Sequence, residues 1–207
     1  NNRLIRTTDS AGNVTLQSYD NVGQTASITD ANGNVTTYTY DAYNRLTQVI
    51  CANNDTTTYT YDYAGNVLTM TDGKGNVTTY EYNCKNQATK VISDGGRSGE
   101  AGNYFYDDTK LVRYVYSADG KLTTKTDRNG NVTTYTYDIH GNLLIVSVAN
   151  GESVQTISYT YDRNGNVLAM TDATGTTTRT YDAFNRTTSK TVPEMGTSTY
   201  TYDITAG

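Results

Sequence analysis

The sequence predicts an all-β fold of antiparallel β-hairpin repeats, with a period of about 21 residues, forming a coiled, spiral or barrel-like sheet. Three observations predict it. The stretch Tyr-Thr-Tyr-Asp occurs at 38–41, 59–62, 135–138, 159–162 and 200–203, with near copies Tyr-Glu-Tyr-Asn at 80–83 and Tyr-Val-Tyr-Ser at 114–117. The composition holds 20 Tyr and 18 Gly against two Phe, one Pro and no Trp. Tyr, Thr and Val favour strands and Gly, Asn and Asp favour turns, whereas long helix formers are scarce. A hydrophobic content of 35% over 207 residues is thin for a spherical core, which favours a repetitive sheet.

With the second Tyr of each motif as a ruler, the marks fall at Tyr19, Tyr40, Tyr61, Tyr82, Tyr116, Tyr137, Tyr161, Tyr181 and Tyr202, separated by 21, 21, 21, 34, 21, 24, 20 and 21 residues. So regular a period points to one repeat array over 1–207 rather than to separate domains. The chain opens and closes inside a copy, Asn-Asn-Arg-Leu matching 43–46 and Tyr202-Asp203 beginning another, as expected of a piece of a longer protein.

Each period has four parts. In 61–82 they read Tyr-Asp-Tyr-Ala-Gly-Asn, Val-Leu-Thr-Met-Thr, Asp-Gly-Lys-Gly-Asn and Val-Thr-Thr-Tyr-Glu-Tyr: two turns alternating with two strand-like runs. The turns share the pattern Asp-x-x-Gly-Asn, as at 30–34, 62–66, 72–76, 127–131, 138–142 and 162–166. The Asp carboxylate accepts backbone N–H groups two residues on, and Gly65, Gly75, Gly130 and Gly165 supply the left-handed conformation that closes a type I turn with a bulge. About nine periods give on the order of 18 to 20 strands, a ribbon roughly 90 Å wide if flat, which twist and bulges would coil.

Alternation puts Tyr38 and Tyr40 on one face of their strand and Thr37 and Thr39 on the other. Tyr59 with Tyr61, Tyr80 with Tyr82, Tyr135 with Tyr137 and Tyr159 with Tyr161 repeat the arrangement, and Tyr181 holds the second position of its copy. Aligned rings would cover the sheet while their hydroxyls stay wet, and Asp41, Asp62, Asp138, Asp162 and Asp182 would begin the turns. The apolar residues of the other run, Leu46 with Val49, Val67 with Met70, Leu143 with Val146 and Val167 with Met170, are spaced by three. That fits either a bulge or a sheet apolar on both faces. Two stretches leave the register as surface excursions: a Gly-rich loop insertion around 93–106 and the segment around Pro193.

These residues resemble the tyrosine-aspartate (YD) repeats of the Rhs family. The resemblance is carried by Tyr40-Asp-Ala-Tyr-Asn-Arg-Leu-Thr47, Tyr61-Asp-Tyr-Ala-Gly-Asn-Val-Leu68 and Tyr181-Asp-Ala-Phe-Asn-Arg-Thr-Thr188, each joined to Gly-Asn-Val-Thr-Thr-Tyr blocks such as 33–38, 75–80 and 130–135. The family includes bacterial polymorphic toxins, Tc toxin C components, wall-associated proteins and teneurins. The resemblance implies a β-ribbon wound into a hollow shell, secreted or on a cell surface, that in toxins holds a C-terminal effector. The partners so implied are neighbouring repeats of the full-length protein and a C-terminal toxin domain.

Other function classes find little support. A net charge of -5 without a Lys/Arg-rich run argues against nucleic acid. The longest apolar stretch, Leu143 to Val148, is far too short to span a bilayer as a helix. Cysteine–histidine chemistry would need Cys51 or Cys84 beside His140, the one histidine, which sits in a turn. Both thiols are expected free. The many Asp residues recur at every turn, as turn chemistry requires and as a unique catalytic pair would not. Asp127-Arg-Asn-Gly-Asn131 and Asp162-Arg-Asn-Gly-Asn166 partly resemble calcium loops but lack the further bidentate carboxylate. We therefore expect no enzyme activity, no catalytic or metal residues and no cofactor, but a structural segment of a shell. The alternative is a carbohydrate-binding or adhesive module in which exposed tyrosines stack on sugars.

Overall fold

The computed structural model describes residues 3–100 and 103–203. Ala101 and Gly102 of the expected loop, Asn1 and Asn2, and the last partial copy beyond Asp203 lie outside the described residues. The chain divides after Leu111 into two compact units.

The first unit contains β1 (Arg6–Thr8), β2 (Val14–Tyr19), β3 (Thr25–Thr29), β4 (Val35–Tyr40), β5 (Leu46–Ile50), β6 (Thr56–Tyr61), β7 (Val67–Thr71), β8 (Val77–Tyr82), β9 (Ala88–Ile92), β10 (Arg97–Glu100) and β11 (Asn103–Tyr106). From β1 to β9 each strand pairs antiparallel with the next, and β10 pairs separately with β11. The second unit runs through β12 (Leu111–Tyr116), β13 (Leu122–Thr126), β14 (Val132–Tyr137), β15 (Leu143–Asn150), β16 (Ser153–Tyr161), β17 (Val167–Asp172), β18 (Gly175–Tyr181), β19 (Thr187–Val192) and β20 (Gly196–Thr199). Its strands also pair antiparallel in chain order.

A bulge explains the spacing of three. In β4–β5, Tyr38 faces Val49, Thr39 faces Gln48 and Tyr40 faces Leu46, so Thr47 is an extra residue. The extra residue brings Leu46 and Val49 to the face that holds Tyr38 and Tyr40. The same shift occurs at Thr60/Tyr61, Thr136/Tyr137 and Thr160/Tyr161, which aligns Val67 with Met70, Leu143 with Val146 and Val167 with Met170. At three of the four bulges whose extra residue is threonine, its hydroxyl donates to a carbonyl across the bulge, Thr47 to Thr39, Thr89 to Glu81 and Thr123 to Val115, each at 3.1 Å, whereas the Thr188 hydroxyl meets that of Thr180 at 2.7 Å.

The two kinds of turn behave differently. Among the described residues, the turn that follows a ruler tyrosine places that tyrosine opposite the residue six positions on: Tyr19 with Thr25, Tyr40 with Leu46, Tyr116 with Leu122, Tyr181 with Thr187. Variation in period is taken up at the other turn. The 24-residue gap corresponds to the long β15–β16 hairpin, joined only by Gly151 and Glu152. The 20-residue gap corresponds to β17–β18, joined by Ala173 and Thr174.

The 93–106 insertion also follows the far end of a strand. It forms a hairpin rather than a loop, with Arg97 opposite Tyr106 and Gly99 opposite Tyr104. Alternation puts Tyr104 and Tyr106 on one side and Phe105 on the other, where it is exposed. The hairpin is tied at its base by Asp107 N–H donating to the Gly96 carbonyl at 2.8 Å and Ser93 N–H to that of Lys110 at 2.9 Å. A side chain at Gly96 would meet Lys110 Cβ at 2.8 Å and Ile92 Cγ2 at 2.9 Å, so only glycine lets these pieces close. Ile92 and Leu111, beside this junction, are the only fully buried large apolar side chains among the described residues.

Candidate functional site

The repeated element with the richest chemistry is the corner after each ruler tyrosine. At Asp62 the carboxylate Oδ1 accepts the Asn66 N–H at 2.9 Å and Oδ2 accepts the Asn66 side-chain amide at 2.8 Å. Gly65, at φ +91°, brings the chain back. The copies with Asn-Arg solve the same problem with other atoms. Asn44 and Asn185 take φ of +65° and +61°, and Arg45 and Arg186 each place Nε 2.7 Å from Oδ2 of Asp41 and Asp182. Gly-Asn and Asn-Arg are thus one motif, a left-handed residue followed by a donor to the aspartate.

These hydrogen bonds hold the aspartates ionised. The Asn66 side chain lowers the Asp62 pKa despite some desolvation, and the Arg45 backbone N–H is the leading cause of the lowered Asp41 pKa. In the 117–121 corner the acid stands two places later: the Ser117 hydroxyl and then Lys121 lower Asp119 to about 2.

The ruler tyrosine clasps the preceding period. Its ladder to the strand before it stops short: β5 and β6 pair only from Gln48–Thr58 to Ile50–Thr56. Beyond that point the Tyr61 hydroxyl donates to the Leu46 carbonyl at 2.6 Å. Tyr40 donates likewise to Thr25, Tyr82 to Val67 and Tyr137 to Leu122 at 2.9 to 3.0 Å, each across 15 residues. The bond survives the changes in period, spanning 18 residues from Tyr161 to Leu143 and 14 from Tyr181 to Val167. These hydroxyls are therefore not left wet, a correction to the sequence-based expectation, because the broken ladder leaves a carbonyl that needs a donor. Burial, and then the neighbouring Tyr59, push the Tyr61 phenol pKa up. Tyr38, Tyr59, Tyr80, Tyr135 and Tyr159 share the face, but their hydroxyls bond no protein group among the described residues.

Arginine reinforces two corners. The Arg45 guanidinium lies 5.2 Å from the Tyr43 ring centre and 4.7 Å from that of Tyr61, and its Nη1 donates to the Asp62 carbonyl at 2.8 Å. Arg186 lies similarly between Phe184 and Tyr202. Beside Arg45 a shallow slot of about 470 Å³ opens between Tyr43, 76% exposed, and Tyr63, 107% exposed, with Tyr61, Asp62 and Leu68 completing it.

A second cluster joins the inserted hairpin to the sheet. Glu81 occupies the strand position held by Thr39, Thr60, Thr136 and Thr160 elsewhere. Its carboxylate accepts Lys90 Nζ at 2.7 Å and the Tyr106 hydroxyl at 2.5 Å, with Arg97 at 3.8 Å. Burial opposes its ionisation, but the bonds from Lys90 and Tyr106 outweigh it and the pKa is lowered. Lys90 stands 4.0 Å from the Tyr106 ring centre and Arg97 4.2 Å from that of Tyr104. The hairpin so anchored walls a groove of about 880 Å³ lined by Thr60, Thr69, Thr79, Glu81, Tyr104 and Arg97 among others. Nothing in the repeat itself foretells this cluster. The signal was the pair of departures, Glu81 and Lys90, beside the insertion.

The remaining candidates fall apart in space or chemistry. Cys51 and Cys84 are exposed free thiols in separate turns. His140 is an exposed turn residue whose N–H donates to Asp138 Oδ1 at 2.9 Å. In the 127–131 turn Oδ1 of Asp127 accepts the N–H groups of Asn129 and Asn131 and Oδ2 accepts the Asn131 amide, so its oxygens already face donors rather than a cation. No cluster of three metal-ligating side chains exists among the described residues.

The model of the RHS Repeat family matches residues 19–56, 51–77, 61–98, 116–153 and 161–194. No curated protein matches the chain in sequence. Among solved structures, the chain is similar to TcdB2-TccC3, at 22% identity and a TM-score of 0.58 over 96% of this chain and 11% of that one. It is similar to TcdB2-TccC3 without its hypervariable C-terminal region, at 16% identity and 0.53 over 86% and 13%. It is also similar to the Tc holotoxin pore of Photorhabdus luminescens, at 17% identity and 0.53 over 90% and 13%. The chain thus spans about an eighth of the length of these proteins, and at these identities the likeness is one of fold.

Two outcomes are expected. Tyr61→Phe should lower stability by about 1 kcal/mol, since it strands a carbonyl at a sheet break, whereas Tyr59→Phe should change it by less than ~0.5 kcal/mol. Urea midpoints at unchanged slope measure both. The corner aspartates have folded pKa values below their unfolded ones, so their contribution is fully present above the ordinary carboxylate range, about pH 5, and is lost as pH falls through the lowered folded values, which at Asp119 means about 2. A pH titration of β-sheet circular dichroism should show the loss there and none between pH 5 and 8.

Proposed function

Because the chain belongs to the RHS repeat family, we propose that it is a wall segment of a secreted or surface-exposed bacterial shell that encloses or presents a C-terminal effector. The observation that carries this reading is the clasp. Within each compact unit, successive periods close onto the one before through a tyrosine hydroxyl and a backbone carbonyl and present a new strand for the next, so the sheet extends by repetition. Enclosure by such a wall needs no active site, only length and continuity. The similarity to TcdB2-TccC3, for which a hypervariable C-terminal region is named, supports a shell whose cargo varies while its wall does not.

Limited proteolysis of the full-length protein tests the proposal. The C-terminal region should resist cleavage, and combined Tyr61→Phe, Tyr82→Phe and Tyr161→Phe changes should expose it at urea concentrations that leave the parent protein closed. Cleavage of that region as fast as when it is produced alone would refute enclosure.

The slot between Tyr43 and Tyr63 favours a second reading, a glycan contact on the outside of the wall. Two exposed rings with Arg45 and Asp62 between them offer stacking surfaces and hydrogen-bonding groups suited to a saccharide. Tyr63→Ala should abolish saturable binding on a glycan array while leaving the urea midpoint unchanged. Undiminished binding, or none in the parent protein, would remove this reading.

A further inference from the structure

The chain has four Asn-Gly pairs, at 32–33, 129–130, 150–151 and 164–165. An Asn-Gly pair can modify itself. The glycine nitrogen, after losing its proton to hydroxide, attacks the asparagine Cγ; a C–N bond forms, the bond to the side-chain nitrogen breaks, and ammonia leaves with a proton. Water then opens the five-membered imide at either carbonyl, giving an aspartyl or isoaspartyl residue. No oxidant or other co-reactant enters. The reaction needs a glycine N–H open to solvent base and a side chain free to turn onto it.

Three of the pairs are locked by the aspartate turns. Gly33, Gly130 and Gly165 donate their N–H groups to the carbonyls of Asp30, Asp127 and Asp162 at 3.0, 3.1 and 3.2 Å. The preceding Asn32, Asn129 and Asn164 are each held by their own N–H on the aspartate Oδ1 at 2.8 to 2.9 Å. The side chain of Asn164 is also bound, to Asn185 Oδ1 at 3.0 Å.

The fourth pair has none of this. Asn150 is paired with Ser153 at the end of the long β15–β16 hairpin, and Gly151 and Glu152 alone make the link. Gly151 lies at φ +58° with no heavy atom within 4 Å of where a Cβ would stand. Its N–H meets no acceptor among the described residues, and the exposed Asn150 side chain has no partner among them.

We propose that Asn150 is a site of spontaneous, fold-selective deamidation, with Gly151 as the attacking residue. The product puts a negative charge two residues from Glu152, at the hairpin tip. In its isoaspartyl form it also lengthens the main chain inside a two-residue link.

The intact folded protein is incubated at mildly alkaline pH, digested, and the four peptides are followed by mass spectrometry, with fragmentation that distinguishes isoaspartyl from aspartyl. The 150–151 peptide should convert at least about tenfold faster than the other three, the factor expected when a hydrogen bond worth ~1.4 kcal/mol must first open. In concentrated urea the four rates should converge. Gly151→Ala should slow conversion at position 150 in the folded protein and leave the other three unchanged. Equal rates in the folded protein, no conversion at 150–151, or a preference for 150–151 that persists undiminished in urea would each overturn the proposal.

Discussion

A sheet one layer thick must satisfy its backbone polar groups wherever its ladder breaks, and this ladder breaks once in every period. The bulge opposite the ruler tyrosine and the early end of pairing on the other side leave a carbonyl facing away from any strand N–H. In open solvent such a group would cost little, but in the interior periods the site is part-buried, and an unpaired carbonyl there is expensive. The phenolic hydroxyl of the next tyrosine is the donor. Tyrosine is required on this account because phenylalanine has the ring without the donor and serine the donor without the reach.

That constraint accounts for the unusual economy of the chain. Ile92 and Leu111 are the only large apolar side chains fully removed from solvent among the described residues. Most strand residues are half-buried, and cohesion comes instead from three recurrent devices: the tyrosine clasp, threonine hydroxyls donating across bulges, and aspartates that gather the turn N–H groups. Threonine pairs on the opposite face add cross-strand contacts, as where the Thr60 and Thr69 hydroxyls meet at 2.6 Å. Each device is local to two or three strands, which suits an object that grows along one direction.

What was legible in the sequence followed the range of the interaction. Turn chemistry acts over two to four residues, so Asp62, Gly65 and Asn66 announce their own geometry, and the period of the motif announces the array. The clasp was not legible, because its acceptor is a main-chain carbonyl that any residue supplies: Thr25, Leu46, Val67 and Leu143 all serve. Apolar residues three apart left two explanations open, and only the register of Thr39 and Tyr40 against Gln48 and Leu46 decided for a bulge. The inserted hairpin looked like a loop because Gly95, Gly96 and Gly99 suggest irregular chain. Its anchoring by Glu81, Lys90 and Tyr106 joins residues up to 25 positions apart.

The invariant six-residue step from each ruler tyrosine to its partner, set against the variable turns at the opposite ends of the hairpins, makes the ribbon asymmetric. One rim acts as a gauge that fixes the pitch, and the other is free to carry freight. Foreign peptides spliced into the second rim would be displayed in a row, two strands apart, without disturbing how successive copies lock together. A family built this way can change what its surface presents while keeping the same architecture beneath.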